Sequence, residues 1–261
     1  MKTLVELSNV FVMSLDYPIL NDISVKIPAQ KSTVIMGPSG CGKSTLLKVL
    51  AGIIIPDSGK LLFEGENIFS ISDKKLLNFK KRNGFVFQDS ALWSNKSIFN
   101  NLALPLQFHY SELSKKDIKE RINNALESIN LVDSMHLRPA QLSIGEKKMI
   151  SFFRAIITNP QILFLDEPTL SIDQEMKKKI FTIIKTFKDN NCTIIAVTHD
   201  PNITAMIADY LILLKGGKVI KTGTVNEMKL SKNSEVKSIL SEVLDNISTY
   251  DKDILDLLSQ E

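Results

Sequence analysis

The chain is poor in cysteine, tryptophan and arginine. The low cysteine content excludes proteins held together by a disulfide framework. Its 261 residues include two cysteines and one tryptophan, and four of its 32 basic residues are arginines. Cys41 and Cys192 are too few for a disulfide framework, and neither has a cysteine or histidine neighbour at the spacing of a zinc site. The net charge of +3 does not require nucleic acid as a partner, and we predict that none is bound.

Long hydrophobic runs are also missing. The uniformly apolar segments, such as 162–165 and 211–214, are far shorter than the roughly 18 residues that predict a membrane span. Glu6 and Asn9 interrupt the apolar residues near the first methionine, so no signal peptide is predicted. Together with the low cysteine content, this pattern predicts a protein of the reducing cytoplasm.

The order of the apolar patterns predicts an α/β fold with a parallel-sheet core. Residues 4–13 and 19–27 alternate like the two strands of an antiparallel hairpin, which begins the fold. Further along, apolar strands at 162–165 and 193–198 flank an amphipathic helical pattern around 180–187. The alternation of strand, helix and strand is typical of a parallel sheet.

Two segments differ from this core. Residues 97–160 have the spacing of helices, and Ser114 with Asp117 fits a capping pair, so we expect an inserted helical subdomain within one domain of residues 1–232. Residues 233–261 carry seven acidic and two basic residues, which predicts an acidic C-terminal tail. A solvated end is the simplest interpretation of that tail, and a contact with a second subunit or a small accessory protein is the alternative.

A glycine-rich loop between a strand and a helix carries the strongest chemical signal. Apolar residues 33–36 predict a strand, and the pattern G-x-x-x-x-G-K-S follows at 37–44, before a helical segment. In such a loop, backbone N–H groups surround phosphate oxygens, Lys43 neutralises the β- and γ-phosphates, and Ser44 can bind Mg²⁺. The residues predicted to contact a nucleotide are Gly37, Pro38, Ser39, Gly40, Cys41, Gly42, Lys43, Ser44 and Thr45.

Two adjacent carboxylates follow the apolar strand at 162–165. Asp166 is placed to hold a magnesium ion, and Glu167 is placed to activate a water molecule. Taken alone, two acids at this position are also consistent with a solvated strand end. The catalytic interpretation therefore depends on the phosphate loop earlier in the chain.

Five further motifs follow the phosphate loop in order and resemble those of the ATP-binding subunits of ABC transporters. The resemblance extends over nearly the whole chain. The motifs are a glutamine loop at Phe87-Gln88-Asp89, Leu142-Ser143-Ile144-Gly145-Glu146 in place of the LSGGQ signature, Leu165-Asp166-Glu167-Pro168-Thr169 as the second nucleotide motif, Ser171-Ile172-Asp173 as the D-loop, and His199 as the switch histidine. One motif would be suggestive, whereas five in the correct order indicate the family.

The resemblance implies the P-loop NTPase fold of ABC ATPases and a head-to-tail dimer. Each ATP would lie between the phosphate loop of one copy and Ser143, Gly145 and Asp173 of the other copy. Because these contacts form only when ATP is present, the nucleotide would drive closure of the dimer. The same resemblance implies peripheral attachment to the cytoplasmic face of a membrane through permease subunits.

The resemblance also implies the catalytic roles. Glu167 would polarise the attacking water, His199 would contact the γ-phosphate, and Gln88 would sense it. The implied catalytic residues are Glu167, His199, Gln88 and Lys43, and the implied Mg²⁺ ligands are Ser44, Gln88 and Asp166. The implied reaction is hydrolysis of ATP to ADP and phosphate.

The chain departs from the family pattern at the signature and near the position where an aromatic ring is expected to stack on adenine. Ile144 stands where the signature has glycine and would be strained at a positive φ. Glu146 replaces glutamine, and Met149 stands where a basic residue is common. We therefore expect working but slow hydrolysis. The adenine-stacking position falls near Ser14, and we hypothesise that Tyr17 substitutes for the missing ring.

Three segments resemble the ATPases of Mla/Mce-type lipid transport systems. They are residues 61–68, 87–93 and 98–106. The implied partners are a permease and a lipid-binding Mce-like subunit, and the implied cargo is phospholipid moved in either direction. An importer or lipoprotein-release ATPase shares every nucleotide motif and remains the alternative.

Structural roles remain open for single residues. His199 could fill an ordinary surface or core position, Asp173 could be a helix N-cap, and Trp93 could fill a seam between lobes rather than anchor a permease. Three other proteins fit less well: a translation protein with tandem cassettes, a DNA-repair member with a heptad insertion, and a small-molecule P-loop kinase, which would lack the signature.

Overall fold

The computed structural model of the chain describes residues 2–249. The strands, in chain order, are β1 (Thr3–Ser14), β2 (Tyr17–Pro28), β3 (Ser32–Met36), β4 (Ser58–Phe63), β5 (Glu66–Asn67), β6 (Asn83–Val86), β7 (Ile162–Asp166), β8 (Thr193–Val197), β9 (Tyr210–Lys215) and β10 (Lys218–Thr224). The helices are α1 (Lys43–Leu50), α2 (Asp73–Lys81), α3 (Ile98–His109), α4 (Lys115–Glu127), α5 (Ile144–Ile156), α6 (Gln174–Asp189), α7 (Pro201–Ile207), α8 (Val225–Lys229) and α9 (Ser234–Thr249). Within this described part, no helix is both long enough and apolar enough to cross a bilayer.

Contacts divide the fold into two compact units. The first unit consists of Met1–Leu76 with Lys185–Glu261, and the second unit consists of Leu77–Ile184. The phosphate loop and His199 therefore belong to the first unit. Gln88, the signature and the two adjacent carboxylates belong to the second unit.

An antiparallel sheet begins the first unit, with strand order β2-β1-β4-β5. The predicted hairpin is confirmed, because β1 and β2 pair from Thr3 with Pro28 to Ser14 with Tyr17. Strand β4 pairs with the other edge of β1 and was not predicted. Its first three residues are exposed, so the segment lacks a regular apolar alternation.

Parallel strands form the core of the first unit. β3 lies between β8 and β9 and pairs in parallel with both. All residues of β3 and β8 are buried, as expected of strands covered on both faces. Gly216 and Gly217, with φ angles of 53° and 71°, form the turn between the antiparallel strands β9 and β10.

A parallel strand pair and several helices form the second unit. β6 pairs with β7, and every residue of β7 is buried, which confirms the predicted buried strand. The predicted capping pair is also confirmed at the start of α4. The Ser114 hydroxyl accepts a hydrogen bond from the Asp117 N–H at 3.2 Å, and the Asp117 carboxylate accepts one from the Ser114 N–H at 3.0 Å.

The start of the acidic C-terminal segment is a packed helix. α9 begins at Ser234 and buries Val236, Ile239 and Leu240. The expectation of a solvated tail is therefore wrong for residues 234–241, because their apolar side chains share one helix face. The predicted tail also includes residues 250–261, which lie outside the described residues.

Replacing Ile239 by alanine is expected to lower the free energy of unfolding by about 2 kcal/mol, because the change opens a cavity beneath α9. The matched control is Leu230→Ala, since the Leu230 side chain is 82% exposed and its loss should cost less than about 0.5 kcal/mol. Chemical denaturation followed by circular dichroism measures both values. Equal losses in the two variants would contradict the packing of α9.

Candidate nucleotide site

The phosphate loop is held closely against neighbouring backbone. It runs from β3 into α1, and Gly37, Gly40 and Gly42 have φ angles of 151°, 76° and 101°. A Cβ on Gly37 would lie 1.9 Å from the Leu214 carbonyl oxygen, and a Cβ on Gly42 would lie 2.9 Å from the Ile19 carbonyl oxygen. Glycine is therefore required at both positions for steric as well as conformational reasons.

The N-terminus of α1 is suited to an anion. Gly42 occupies the N-cap position and supplies no side-chain cap, and a helix N-terminus favours an anion through its N–H groups and its dipole. Lys43 is buried, and its Nζ atom donates to the carbonyl oxygens of Gly37 at 2.8 Å and Pro38 at 2.9 Å. Burial raises the pKa of the Cys41 thiol, while the nearby Lys43 charge acts in the opposite direction.

The two adjacent carboxylates are buried at the end of β7. Asp166 is 1% exposed and Glu167 is 9% exposed, so the alternative of a solvated strand end is wrong. Glu167 also has a φ angle of 48°, which is unusual for a residue other than glycine. Such backbone strain concentrates at functional sites, where the surrounding structure holds it.

The signature residues form the start of α5. Ser143 is the N-cap, and its hydroxyl accepts from the Glu146 N–H at 3.2 Å, while the Glu146 carboxylate accepts from the Ser143 N–H at 2.8 Å. Ile144 is the first helical residue, is 68% exposed, and is absent from the positive-φ residues. The expected strain at Ile144 therefore does not arise. A Cβ on Gly145 would lie 3.0 Å from the Met176 sulfur, so a larger residue would crowd the start of α6.

The glutamine loop is bound by two basic side chains of α5 that the sequence analysis missed. Lys148 donates from Nζ to the carbonyl oxygens of Phe87 at 3.2 Å and Gln88 at 2.8 Å. Arg154 donates to the carbonyl oxygens of Ala91 at 2.9 Å and Ser90 at 3.3 Å. One feature of the sequence could have revealed Lys148. This lysine directly precedes the apolar residues 149 and 150 in a helix with a buried face, and lysine is rarely buried unless it is paired.

Burial lowers the pKa of the Lys148 ammonium group, and nearby carboxylates act in the opposite direction. These carboxylates belong to Asp166, Glu167 and Asp89. A buried ammonium group is costly unless it is paired and hydrogen-bonded. The second unit thus brings Lys148 together with Gln88 and with the carboxylates of Asp166 and Glu167 at the end of β7.

The remaining predicted residues lie at element ends. Asp173 caps α6, because its carboxylate accepts from the Met176 N–H at 2.8 Å. The capping interpretation of Asp173 is therefore confirmed, and capping is compatible with a contact across a dimer. His199 follows the buried strand β8 and is exposed.

The position expected to stack on adenine lies at the tip of the first hairpin. Ser14 and Tyr17 pair across this tip, and Tyr17 is 61% exposed. Leu15, between them along the chain, has a φ angle of 49° and is 95% exposed. The second strand of the same hairpin touches the phosphate loop, since its Ile19 carbonyl lies against Gly42. The first unit therefore places Tyr17 on the strand that borders the loop.

Comparison with known proteins shows the family to which the chain belongs. A family model described as ABC transporter matches residues 20–170. The chain belongs to the ABC transporter family. It is an ABC-type ATPase, and it is the ATPase subunit of an ABC transporter.

Three curated relatives of this ABC ATPase have different cargoes in their names. The methionine import ATP-binding protein MetN of Clostridium acetobutylicum is 31% identical over 94% of this chain and 76% of its own length. The intermembrane phospholipid transport system ATP-binding protein MlaF of Haemophilus influenzae is 33% identical over 92% of this chain and 90% of its own length. The phosphate import ATP-binding protein PstB of Saccharolobus solfataricus is 37% identical over 88% of this chain and 91% of its own length.

A solved structure confirms the predicted fold class. The dimer of the ATP-binding cassette MJ0796, in a post-hydrolysis state bound to ADP and Pi, has a TM-score of 0.77 and 29% sequence identity. The match covers 85% of this chain and 98% of that chain. The shared architecture is an N-terminal antiparallel sheet, a mostly parallel core sheet and a helical insert.

Replacing Lys43 by alanine is expected to weaken ATP binding by at least about tenfold, because a charge-assisted hydrogen bond to phosphate is lost. The matched control is Lys48→Ala, which removes a lysine from the last turn of the same helix. Isothermal titration calorimetry with ATP and Mg²⁺ compares the two variants. Affinity of the Lys43 variant close to that of the wild type would refute the assignment of the phosphate loop.

Proposed function

We propose that this ABC ATPase closes over ATP as a head-to-tail dimer and that its cycle powers a permease that transports lipid. The observation that carries the dimer proposal is the exposure of Ser143 and Ile144 at the N-terminus of α5. This helix start presents the signature to a second molecule rather than to the interior of its own unit. The MJ0796 cassette, to which the chain is similar, is itself dimeric.

In this proposal, the signature supplies donors to the γ-phosphate of the partner's ATP. The Ser143 hydroxyl accepts the Glu146 N–H, so its own proton remains to be donated to a phosphate oxygen. The Glu146 carboxylate is favoured by the dipole of α5, but it has the same sign of charge as the triphosphate. This repulsion supports the expectation of slow hydrolysis.

Glu167 acts as the general base in the proposed reaction. Its buried carboxylate accepts hydrogen bonds from the attacking water and takes up the proton as the water attacks the γ-phosphorus. Lys43 neutralises charge on the β- and γ-phosphates, and His199 donates to the γ-phosphate. Gln88 senses the γ-phosphate, and Asp173 contacts the partner.

The proposed metal ligands match the preference of Mg²⁺ for hard oxygen donors. They are the Ser44 hydroxyl, the Gln88 amide oxygen and the buried Asp166 carboxylate. When bound there, the ion neutralises phosphate charge. Among the side chains of residues 2–241, no group of three or more histidine, cysteine or acidic residues offers a separate metal site.

Glu167→Gln is expected to trap a dimer with ATP bound, because an amide cannot accept the proton of the attacking water. Size-exclusion chromatography with light scattering, in the presence of ATP, would show a twofold increase in mass. Glu175→Gln, an exposed acid on α6, is the matched control and should remain active. Turnover of the Glu167 variant at the wild-type rate would assign the base to another residue.

We further propose that the permease docks in an apolar groove of the second unit. The groove has a volume of about 640 Å³. Trp93 and Phe108 on its rim are 51% and 66% exposed, which favours an anchor role for Trp93 over a seam filler. Asn101 is buried and fixes the main chain of Trp93 through a 2.8 Å bond from the Trp93 N–H. The apolar lining residues include Phe85, Phe87, Ala91, Trp93, Leu104 and Phe108.

Lipid is the proposed cargo because of the three segments that resemble Mla/Mce-type ATPases. The similarity to MlaF, which extends over 92% of this chain, supports that choice, and an Mce-like lipid-binding subunit would complete the complex. Import of a small solute is the second candidate, because MetN is similar over 94% of the chain. Either cargo places the subunit peripherally on the cytoplasmic face of a membrane.

Purification of the tagged chain in mild detergent from its native cells, with mass spectrometry of proteins and lipids, tests the cargo and the docking surface together. A permease, a membrane-anchored lipid-binding subunit and phospholipid are expected to co-purify. Trp93→Ala should reduce permease recovery at least about tenfold, because interface anchors dominate binding. Phe69→Ala, at a 42% exposed side chain outside the groove, is the matched control.

Other outcomes distinguish the alternatives. A permease recovered with a solute-binding protein and without phospholipid would favour the importer. Recovery with ribosomes or DNA would contradict the transport function. Equal permease recovery by the Trp93 and Phe69 variants would place the docking surface elsewhere.

A further inference from the structure

Helix α5 connects the signature to the glutamine loop through side-chain donors. The helix begins at the signature, and Lys148 and Arg154 follow on it. Lys148 donates to the carbonyl oxygens of residues 87 and 88, and Arg154 donates to those of residues 90 and 91. Four carbonyl groups in a segment of five residues are thus bound by one helix.

The backbone of this segment depends on such external partners. Residues Ser90 and Ala91 have φ angles of 67° and 44°, a conformation that costs free energy for residues with a Cβ. Within the segment, the Ser90 N–H bonds to the Phe87 carbonyl at 3.3 Å. The donors of α5 therefore hold a strained loop in one conformation.

Lys148 is the more informative of the two donors. It is 2% exposed and contacts the main chain of Gln88 itself at 2.8 Å. The carboxylates of Asp166, Glu167 and Asp89 act on its charge. Lys148 therefore bonds to the main chain of the glutamine loop and interacts electrostatically with the carboxylates at the end of β7.

We propose that Lys148 is a positioning residue for Gln88, holding the glutamine-loop main chain against α5 so that the Gln88 side chain is presented in a fixed place. This inference rests on the proposed role of Gln88 in ATP hydrolysis. Lys148 itself does not touch the reacting atoms. Its effect passes through the backbone of residues 87 and 88.

The test uses substitutions at Lys148 and Gln88 in the full chain. Lys148→Met removes the donor and the charge while keeping similar length, and should lower kcat about tenfold with the Kd for ATP within about twofold, because the phosphate loop carries the binding. Lys148→Arg keeps a cationic donor and should recover most of kcat. Lys147→Met, which makes the same substitution at the neighbouring lysine of α5, is the matched control.

A double-mutant cycle with Gln88→Ala shows whether Lys148 acts through Gln88. If it does, Lys148→Met has little further effect on kcat in the Gln88→Ala background. A tenfold loss in both backgrounds would overturn the proposal. A lowered melting temperature with unchanged kcat would also overturn the proposal, because that result is expected of a purely structural role.

Hydrogen exchange separates this proposal from the failure of the proposed function. Amide exchange in residues 85–92 should become at least about tenfold faster in Lys148→Met than in Lys147→Met, whether or not the chain hydrolyses ATP. Unchanged exchange in this segment would overturn the inference. Absence of ATP turnover in the wild type would instead count against the proposed function.

Discussion

Backbone N–H groups at two helix N-termini underlie the nucleotide chemistry that we propose for this protein. At α1, glycine at the N-cap position leaves the first amides without a side-chain cap, and the close approach of neighbouring carbonyls permits only glycine at positions 37 and 42. At α5, the reciprocal bonds of Ser143 and Glu146 order the helix start. In the proposed function, the start of α1 binds phosphate oxygens of one ATP, and Ser143 at the start of α5 donates to the ATP of the partner.

Buried charge organises the second unit in a complementary way. Asp166, Glu167 and Lys148 are all removed from water, which is unfavourable for each group by itself. The Lys148 ammonium group offsets part of this cost through two main-chain carbonyls and through nearby carboxylates. Loss of this one cation would remove the hydrogen bonds to the carbonyl oxygens of Phe87 and Gln88, so the glutamine loop would lose a partner.

Local patterns predicted much of the fold. The first hairpin, the buried strand β7 and the capping box at Ser114 each depend on a few adjacent residues, and each is present. Strand β4 was missed because half of its residues are exposed. The solvated-tail expectation followed net charge, whereas the burial of Val236 and Ile239 depends on packing of α9.

The order of the nucleotide motifs can be read without a structure, because a phosphate loop and a helix cap are built from residues adjacent in the chain. The folded structure was needed to show that Asp166 and Glu167 are buried, that Ile144 is unstrained and that Trp93 is half exposed. It alone also revealed Lys148, which lies about 60 residues from the carbonyl groups it binds. Contacts between residues so far apart depend on how the helices pack, and no local periodicity encodes them.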